Sequence, residues 1–277
     1  MTATDPVDTG ARSKAINKAA VALQEAWDTG RQCPPVRQWL PEGDIDAAYA
    51  VQDVRTQARL AMGHRLVGRK IGLTAPAVQK QLGVDQPDYG MLFDDMDVPQ
   101  GAVIPWGAVQ QPKVEAEIAF LLRHDLDSER LTSADLLDAI EYVVGAIEIV
   151  GSRIENWHIG IVDTVSDNAS AALFTLGHQV RQLREIDVIA ASMSLYRGEE
   201  QVSSGRGADC MGSPISAALW LAKRMVQVRS PLRRGDVVLS GALGPMVSVS
   251  PGADFVAHIE GLGSVRVAFG ADQCNAR

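Results

Sequence analysis

Apolar and polar residues alternate along Pro112–Leu122, which reads PKVEAEIAFLL. The alternation predicts a β-strand, because side chains two residues apart on a strand point to the same side. Glu115 and Glu117 therefore project from one face, with their Cα atoms roughly 7 Å apart. Beyond them this face becomes apolar, which places the pair at the rim of a covered surface.

A second strand is predicted over Tyr142–Val150, where Glu148 is the only charged residue in an apolar run. An unpaired buried carboxylate costs roughly a few kcal/mol or more, so we expect Glu148 to be ion-paired, protonated or metal-bound. If the two strands are neighbours, three carboxylates converge and suit a hard cation such as Mg²⁺ or Mn²⁺. Two surface glutamates on an edge strand, with a buried acid paired to a distant base, would give the same pattern.

The rest of the chain divides into a helical part and a strand-rich part. Helical spacing predicts one helix over Ser13–Trp27 and a second that is capped by Asp44 or Asp46 and ended by Gly63. Residues 1–64 are therefore assigned to an N-terminal helical part. Later strands are predicted over Arg65–Leu73, Ile186–Arg197, Val237–Leu239, Met246–Val249, Phe255–Ile259 and Val265–Phe269. Because these strands lack a regular βαβ alternation, we predict an α+β fold with a mixed β-roll over residues 65–277.

Caps and turn residues predict the remaining segments. Short helices are expected over Ala75–Leu82, from Thr132 or Ser133 to about Ile140, and from Ser213–Pro214 onward. Irregular segments are expected at Asp85–Leu92, which is rich in Pro, Gly and Asp, and at Glu199–Ala208.

Composition excludes several classes of function. The chain has 277 residues, of which 46% are hydrophobic, and a net charge of 26 − 34 = −8, which argues against a nucleic-acid surface. Its three cysteines show no CxxC spacing, so neither a zinc site nor a disulfide framework is indicated. No apolar run approaches the ~20 residues of a membrane span. These features, and the absence of an apolar signal core at the N-terminus, lead us to expect a cytoplasmic protein.

Two ionisable residues outside the glutamate strands are candidates for chemistry. Lys70 lies within a predicted strand, and a partly buried lysine near a metal can bind a substrate carboxylate or move a proton. A solvated lysine on an edge strand is the alternative. Asp88, between Pro87 and Tyr89, can act as a general base or hold a water molecule, although turn aspartates are common in such loops.

Two polar segments are candidates for substrate contacts. Ser170 ends a polar cluster that also contains Asp163, Asp167 and Asn168, and this cluster can contact substrate or cap a turn. Ser240–Gly241 follows a predicted strand, and its backbone N–H groups can hold a carboxylate or form a tight turn. The five histidines show no HxH or HExxH spacing, and GxGxxG, GxxxxGK[ST] and GxSxG motifs are absent.

Several of these segments together resemble a known family. They are GRKIGLTAPAVQKQLGVDQPDYGMLFDDM (residues 68–96), KVEAEIAFLL, the Glu148 strand, DTVSDNAS and LSGALGPM. This set resembles the 2-hydroxypenta-2,4-dienoate (2-keto-4-pentenoate) hydratases, which belong with the 4-oxalocrotonate decarboxylases in the fumarylacetoacetate hydrolase superfamily. The resemblance extends over about residues 40–270.

The resemblance implies a mixed β-roll with flanking helices and a metal site in which Glu115, Glu117 and Glu148 hold Mg²⁺ or Mn²⁺. It also points to Lys70 and Asp88 as catalytic residues and to Ser170 as a substrate-binding residue. The implied activity is addition of water to a 2-hydroxy-2,4-dienoate, giving a 4-hydroxy-2-oxo acid, in the breakdown of aromatic or steroid rings.

The resemblance also implies a homo-oligomer and a complex with a decarboxylase or aldolase of the same pathway. A 4-oxalocrotonate-type decarboxylase, or a non-catalytic partner subunit of one, is the alternative function. The hydrolytic members of the superfamily activate water with a His–Glu pair. No histidine here stands in a corresponding motif, which disfavours C–C bond hydrolysis.

Overall fold

The structure, a computed structural model, describes residues 6–75 and 86–272. The helices within these ranges are α1 (Pro6–Thr29), α2 (Ile45–Ala61), α3 (Ser133–Ala139), α4 (Ile161–Ser166) and α5 (Pro214–Gln227). The strands are β1 (Leu66–Gly72), β2 (Asp88–Phe93), β3 (Val103–Ile104), β4 (Lys113–Leu122), β5 (Ile140–Val150), β6 (Ala171–Leu176), β7 (Ser192–Arg197), β8 (Glu200–Arg206), β9 (Val237–Ala242), β10 (Val247–Ser248), β11 (Asp254–Ile259) and β12 (Gly263–Phe269). Within these ranges, no helix is both long enough and apolar enough to cross a membrane.

The strands form two mixed sheets. The larger has the order β2-β1-β9-β4-β5-β6, with β10 pairing to β4, and β1 and β9 are its parallel pair. The smaller has the order β3-β12-β11-β7-β8, with β12 parallel to β3. One hydrophobic cluster joins the sheets, with Phe120 and Ile147 from the larger and Phe255 and Val267 from the smaller. This architecture confirms the predicted α+β fold.

Strand β4 lies inside the larger sheet, paired to β5 along one edge and to β9 along the other. Its apolar face is fully covered, since Val114, Ile118 and Phe120 have no solvent exposure. The glutamate-bearing face is covered as well, because Glu117 is also fully buried. The alternative that placed these glutamates on an exposed edge strand is therefore wrong.

Three segments of the sheets differ from the sequence prediction. The predicted loop Asp85–Leu92 contains strand β2, which begins at Asp88 and pairs with β1. Gly90 lies within this strand, and a Cβ at this position would collide with the backbone oxygen of Asn168. The glycine therefore permits a close approach of two backbones, and it does not mark a turn.

The other two differences lie in the smaller sheet. Glu199–Ala208 was expected to be irregular but contains strand β8, which pairs with β7. The predicted strand Ile186–Arg197 begins only at Ser192. Before it, Asp187 Oδ1 accepts from the backbone N–H groups of Ile189 and Ala190, and this side-chain cap forms a turn.

Both predicted N-terminal helices are present, although α1 begins at Pro6, before the predicted start at Ser13. Asp44 caps α2 by accepting a hydrogen bond from the backbone of Ala47 at 2.8 Å. The hydrophobic core of α1 and α2 also contains Ile154, Val162 and Val165, so these helices pack on the segment that follows β5. The division at residue 64 stays a prediction, and the predicted helix Ala75–Leu82 lies almost entirely outside the described residues.

A buried ion-pair network holds the segment after α4 against the end of β5. Arg153 Nε lies 2.6 Å from Asp167 Oδ1, and the Arg153 backbone N–H donates to Asp167 Oδ2 at 3.0 Å. Arg55 from α2 adds a contact of 3.1 Å to the same carboxylate. Asp167 thus links α2 to the segment that follows β5.

We expect Asp167→Ala to lower the free energy of unfolding by about 3–5 kcal/mol, because it leaves the buried Arg153 guanidinium unpaired. Glu200→Ala is the matched control, since Glu200 pairs with Arg197 on the surface and its loss should have little effect. Urea unfolding of both variants measures the difference. Equal stabilities would contradict a structural role for Asp167.

Candidate metal centre and substrate cleft

Three glutamate side chains meet on one face of the larger sheet. Glu115 on β4 lies directly opposite Glu148 on β5, and Glu117 follows two residues later on the same face. One carboxylate oxygen from each residue lies within 4.8 Å of those from the other two. The structure thus brings together the three residues that the strand pattern singled out.

Lys70 joins this group from a distant strand. In the sheet order, β9 and β4 lie between β1 and β5, which would separate β1 from β5 by about 14 Å if the sheet were flat. Yet Lys70 Nζ lies 3.3 Å from Glu148 Oε1, and both side chains are buried. The sheet must therefore curl strongly, and its concave face carries the carboxylates and the lysine.

Asp88 reaches the same face from β2, where it pairs with Gly72 of β1. A Cβ built on Gly72 would collide with Asp88 Oδ1 and lie 3.4 Å from Lys70 Nζ. The absence of a side chain at Gly72 is therefore what allows the Asp88 carboxyl and the Lys70 ammonium to share this space. In the described part of the chain, Asp88 Oδ1 has no hydrogen-bond partner.

Burial and mutual repulsion set the electrostatics of this group. Burial and the nearby Glu148 raise the pKa of Glu115 to about 7, and the same two effects raise the pKa of Glu117 still further above its usual value. Burial raises the pKa of Asp88 to about 6 against the opposing effect of Lys70. Burial alone would lower the pKa of Lys70, but the facing Glu148 and Asp88 outweigh it and raise that pKa.

These residues fit a divalent cation. Four ionised carboxylates and one ammonium carry −4 + 1 = −3, and two positive charges would reduce this to −1. Among the described residues, no hydrogen-bond donor reaches Glu117 Oε1 or Glu148 Oε2, so these buried oxygens lack the partners that such groups normally have. Oxygen ligands with open positions are typical of Mg²⁺ and Mn²⁺ sites.

A second group of possible ligands, His64, Asp94 and Asp95, lies at the surface. Arg59 already pairs with Asp95, and the Arg65 backbone N–H donates to Asp94 at 3.0 Å. A guanidinium and a backbone N–H group therefore already bind these carboxylates, and the buried trio is the better metal site.

A cleft of about 270 Å³ opens beside the trio. Its polar lining includes Lys70, Asp88, Glu115, Thr164 and Ser170. Ser170 Oγ lies 3.1 Å from Thr164 Oγ1, so the predicted substrate-binding serine belongs to a short hydroxyl pair on the cleft wall.

A strained turn positions Ser170. Asn168, Ala169 and Ser170 have φ values of 58°, 50° and 60°, which cost about 1–3 kcal/mol each for residues other than glycine. The Asn168 side chain holds the turn by donating to Met91 O at 2.9 Å and accepting from Met91 N at 2.7 Å. Strain that is fixed in this way is typical of functional sites.

Ser240 and Gly241, which were predicted to bind substrate, are not among the described residues that line the cleft. The Gly241 N–H donates to Glu117 Oε2 at 2.8 Å, so the carboxylate it holds belongs to the protein. Ser240 is fully buried, and its backbone oxygen accepts from Cys210 Sγ at 2.9 Å. Gly241 thus supports a glutamate of the trio, whereas Ser240 contacts Cys210.

Sequence reasoning missed several residues of the cleft wall: Leu73, Lys113, Val150, Trp157, Ile159 and Met246. Lys113 carried a usable signal, because it lies two residues before Glu115 and so projects from the same face of β4. Trp157 carried none, since it lies in an irregular segment that only the folded chain brings to the cleft.

Comparison with known proteins identifies the family to which this chain belongs. The family model described as fumarylacetoacetate (FAA) hydrolase C-terminal matches residues 70–269, which is most of the chain. The chain belongs to the fumarylacetoacetate hydrolase family. It is 57% identical to the TodF product hydratase of Pseudomonas putida, over 94% of this chain and 97% of the relative. It is 56% identical to 2-keto-4-pentenoate hydratase 1 of Dechloromonas aromatica, over 91% and 95% of the two chains.

A solved structure of this family has the same fold. The 4-oxalocrotonate decarboxylase from Pseudomonas putida G7, complexed with magnesium and adipate, matches with a TM-score of 0.88 and 31% identity. The match covers 93% of this chain and 98% of the decarboxylase. The resemblance to the hydratase and decarboxylase branch is thereby confirmed.

We expect Glu148→Gln to weaken Mn²⁺ binding by more than ~10-fold, because even residues that only orient metal ligands contribute that much. Glu141→Gln is the matched control, since Glu141 lies on the same strand but is exposed. Titration calorimetry with Mn²⁺ compares the two variants with the wild type. Unchanged affinity in Glu148→Gln would remove this residue from the metal site.

Proposed function

We propose that this protein is a metal-dependent hydratase that adds water to a 2-hydroxy-2,4-dienoate to give a 4-hydroxy-2-oxo acid. The observation that carries the proposal is the buried trio of Glu115, Glu117 and Glu148 facing Lys70 and Asp88. Relatives that are 56–57% identical over nearly the whole chain are named as hydratases, which supports the same reaction. The ring-degradation pathway is part of this proposal.

The reaction has two stages. Ketonisation moves the 2-hydroxyl proton to C5 overall and converts the dienol into a 2-oxo-3-enoate. Water then adds across the C3–C4 double bond, with oxygen bonding to C4 and a proton to C3. Both stages place negative charge on the 2-oxygen, so that charge is what the site must stabilise.

Glu115, Glu117 and Glu148 would hold Mg²⁺ or Mn²⁺, and a bound divalent ion supplies the Lewis acidity that stabilises charge on the 2-oxygen. Gly241 orients one of these ligands through its N–H group. Lys70 offsets the surplus negative charge of the site, and its contact with Glu148 keeps the ammonium inside the cleft.

Asp88 is the proposed general base. Its Oδ1 is buried, has no partner among the described residues and adjoins Lys70 over Gly72. It can take the 2-hydroxyl proton or orient the attacking water from this position. Ser170 and Thr164 supply hydroxyl groups on the cleft wall, where they can bind the substrate carboxylate.

The decarboxylase is the second candidate, since the solved decarboxylase shares the fold and was crystallised with a dicarboxylate. Lys113 favours it in one respect, because a cation on the cleft wall can bind a second substrate carboxylate. The hydratase is preferred since its named relatives are far more similar in sequence. The intact trio argues against a non-catalytic subunit.

Purified protein with Mg²⁺ or Mn²⁺ should consume 2-hydroxypenta-2,4-dienoate, seen as loss of dienol absorbance, and form the 4-hydroxy-2-oxo acid without releasing CO₂. Chelation, or the Glu115→Gln variant, should abolish this turnover. Release of CO₂ from 2-oxo-3-hexenedioate at a higher kcat/KM would instead identify a decarboxylase. Full activity after exhaustive chelation would overturn the role of a metal.

We expect Asp88→Asn to lower kcat by about 10²–10⁴-fold, the range for loss of a general acid or base. Its Mn²⁺ affinity should fall less than that of Glu148→Gln, because Asp88 adds negative charge to the site but is outside the carboxylate trio. Steady-state kinetics and Mn²⁺ titration of one preparation separate the two properties. A kcat within twofold of the wild type would exclude Asp88 as the base.

The homo-oligomeric state and a complex with a decarboxylase or aldolase of the same pathway are part of the proposal, and both rest on the family resemblance. Sedimentation of the purified protein, alone and mixed with such an enzyme, tests them.

A further inference from the structure

Two neighbouring cavities share one wall. The cleft beside the carboxylate trio measures about 270 Å³, and an outer cavity of about 480 Å³ lies next to it. Lys113 and Trp157 line both cavities. The outer cavity is otherwise lined by described residues that do not line the cleft, including Trp106, Val109, Pro112 and Val249. We call Lys113 and Trp157 together the partition.

The partition is held in place by several contacts. Lys113 Nζ lies 4.2 Å from the centroid of the Trp157 ring, in a cation–π contact. Trp157 Nε1 donates to Gln111 O at 3.0 Å, which fixes the ring against the segment that leads into β4. The backbone at Asn156 and Trp157 has φ values of 56° and 53°. A bulky residue at positive φ is a genuine outlier, so the position of the Trp157 ring depends on an unusual backbone conformation.

Along β4, the partition residue Lys113 lies on the side of Glu115 away from Glu117. Glu117 and Glu148 are fully buried and are not among the described residues that line the cleft, whereas Glu115 is half-buried and lines it. Lys113 precedes Glu115 by two residues on the same face of β4, about 7 Å along the strand. A 2-oxo acid whose head group lies at the trio can therefore extend its tail along the cleft, past Leu73, Val150, Ile159 and Met246, toward the partition.

We propose that the partition sets the length of the substrate tail and that Trp157 is a specificity-determining residue. The wild-type protein accepts short dienoates, because a longer hydrocarbon tail would meet the ring of Trp157. Removal of that ring joins the cleft to the outer cavity and gives a longer tail additional space. This inference deepens the proposed function and depends on it for the identity of the head group.

Kinetics of three proteins test the proposal: the wild type, Trp157→Ala and the control Trp106→Ala. The substrates are 2-hydroxypenta-2,4-dienoate and an analogue whose tail is three methylene groups longer. The ratio of kcat/KM for the short substrate to that for the long one should fall at least ~10-fold in Trp157→Ala, since each methylene contributes a factor of that order. Trp106→Ala should keep the wild-type ratio, because Trp106 lines the outer cavity alone. An unchanged ratio in Trp157→Ala would overturn the proposal.

A binding measurement remains informative if Trp157→Ala does not fold or if the proposed reaction is wrong. Calorimetry in the presence of Mg²⁺ compares 2-oxopentanoate with 2-oxooctanoate, which have no double bond to hydrate. The wild type should bind the shorter acid at least ~10-fold more tightly, and Trp157→Phe, which keeps a ring, should retain most of this preference. Equal affinities in the wild type would overturn the partition as a length filter. Absence of dienoate turnover, with this preference intact, would instead contradict only the proposed function.

Discussion

Repulsion among buried carboxylates is the constraint on which this site depends. Glu115, Glu117, Glu148 and Asp88 are brought into one low-dielectric space around the buried ammonium of Lys70. In isolation such a group would take up protons, and the raised pKa values of its members reflect that tendency. A fold that keeps these groups together without neutralising them therefore favours the binding of a cation and, through it, of an oxyanion.

The curl of the larger sheet is what creates this crowding. Glu115 and Glu148 are neighbours by strand register alone. Lys70, however, lies on a strand three positions from β5, and Asp88 lies on a strand four positions from β5. Small residues permit these approaches, as at Gly72, where a side chain would displace the Asp88 carboxyl. The buried ion pairs of Asp167 and the hydrogen bonds between the Asn168 side chain and the Met91 backbone stabilise the strained turn that carries Ser170.

The sequence predicted the parts of the site that depend on local periodicity. Alternation along β4 and β5 identified Glu115, Glu117 and Glu148, and the family motifs pointed to Lys70, Asp88 and Ser170. The partner of Lys70 could not be predicted, since it depends on sheet curvature. Glycines that permit close backbone approach resemble turn glycines in sequence, which explains why β2 was predicted to be a loop. Gly241 was expected to hold a substrate carboxylate, but its N–H binds Glu117.

The parallel pairing of β1 with β9 has a consequence for how the protein folds. Gly68 lies opposite Val237, a separation of 237 − 68 = 169 residues along the chain. Contacts between such distant segments carry a large loop-closure entropy and slow the search for the native topology. During synthesis, β1 leaves the ribosome long before β9, which lies between β1 and β4 in the finished sheet. Until β9 arrives, the edges of β1 and β4 lack their shared neighbour, and nascent chains are vulnerable to aggregation at these edges.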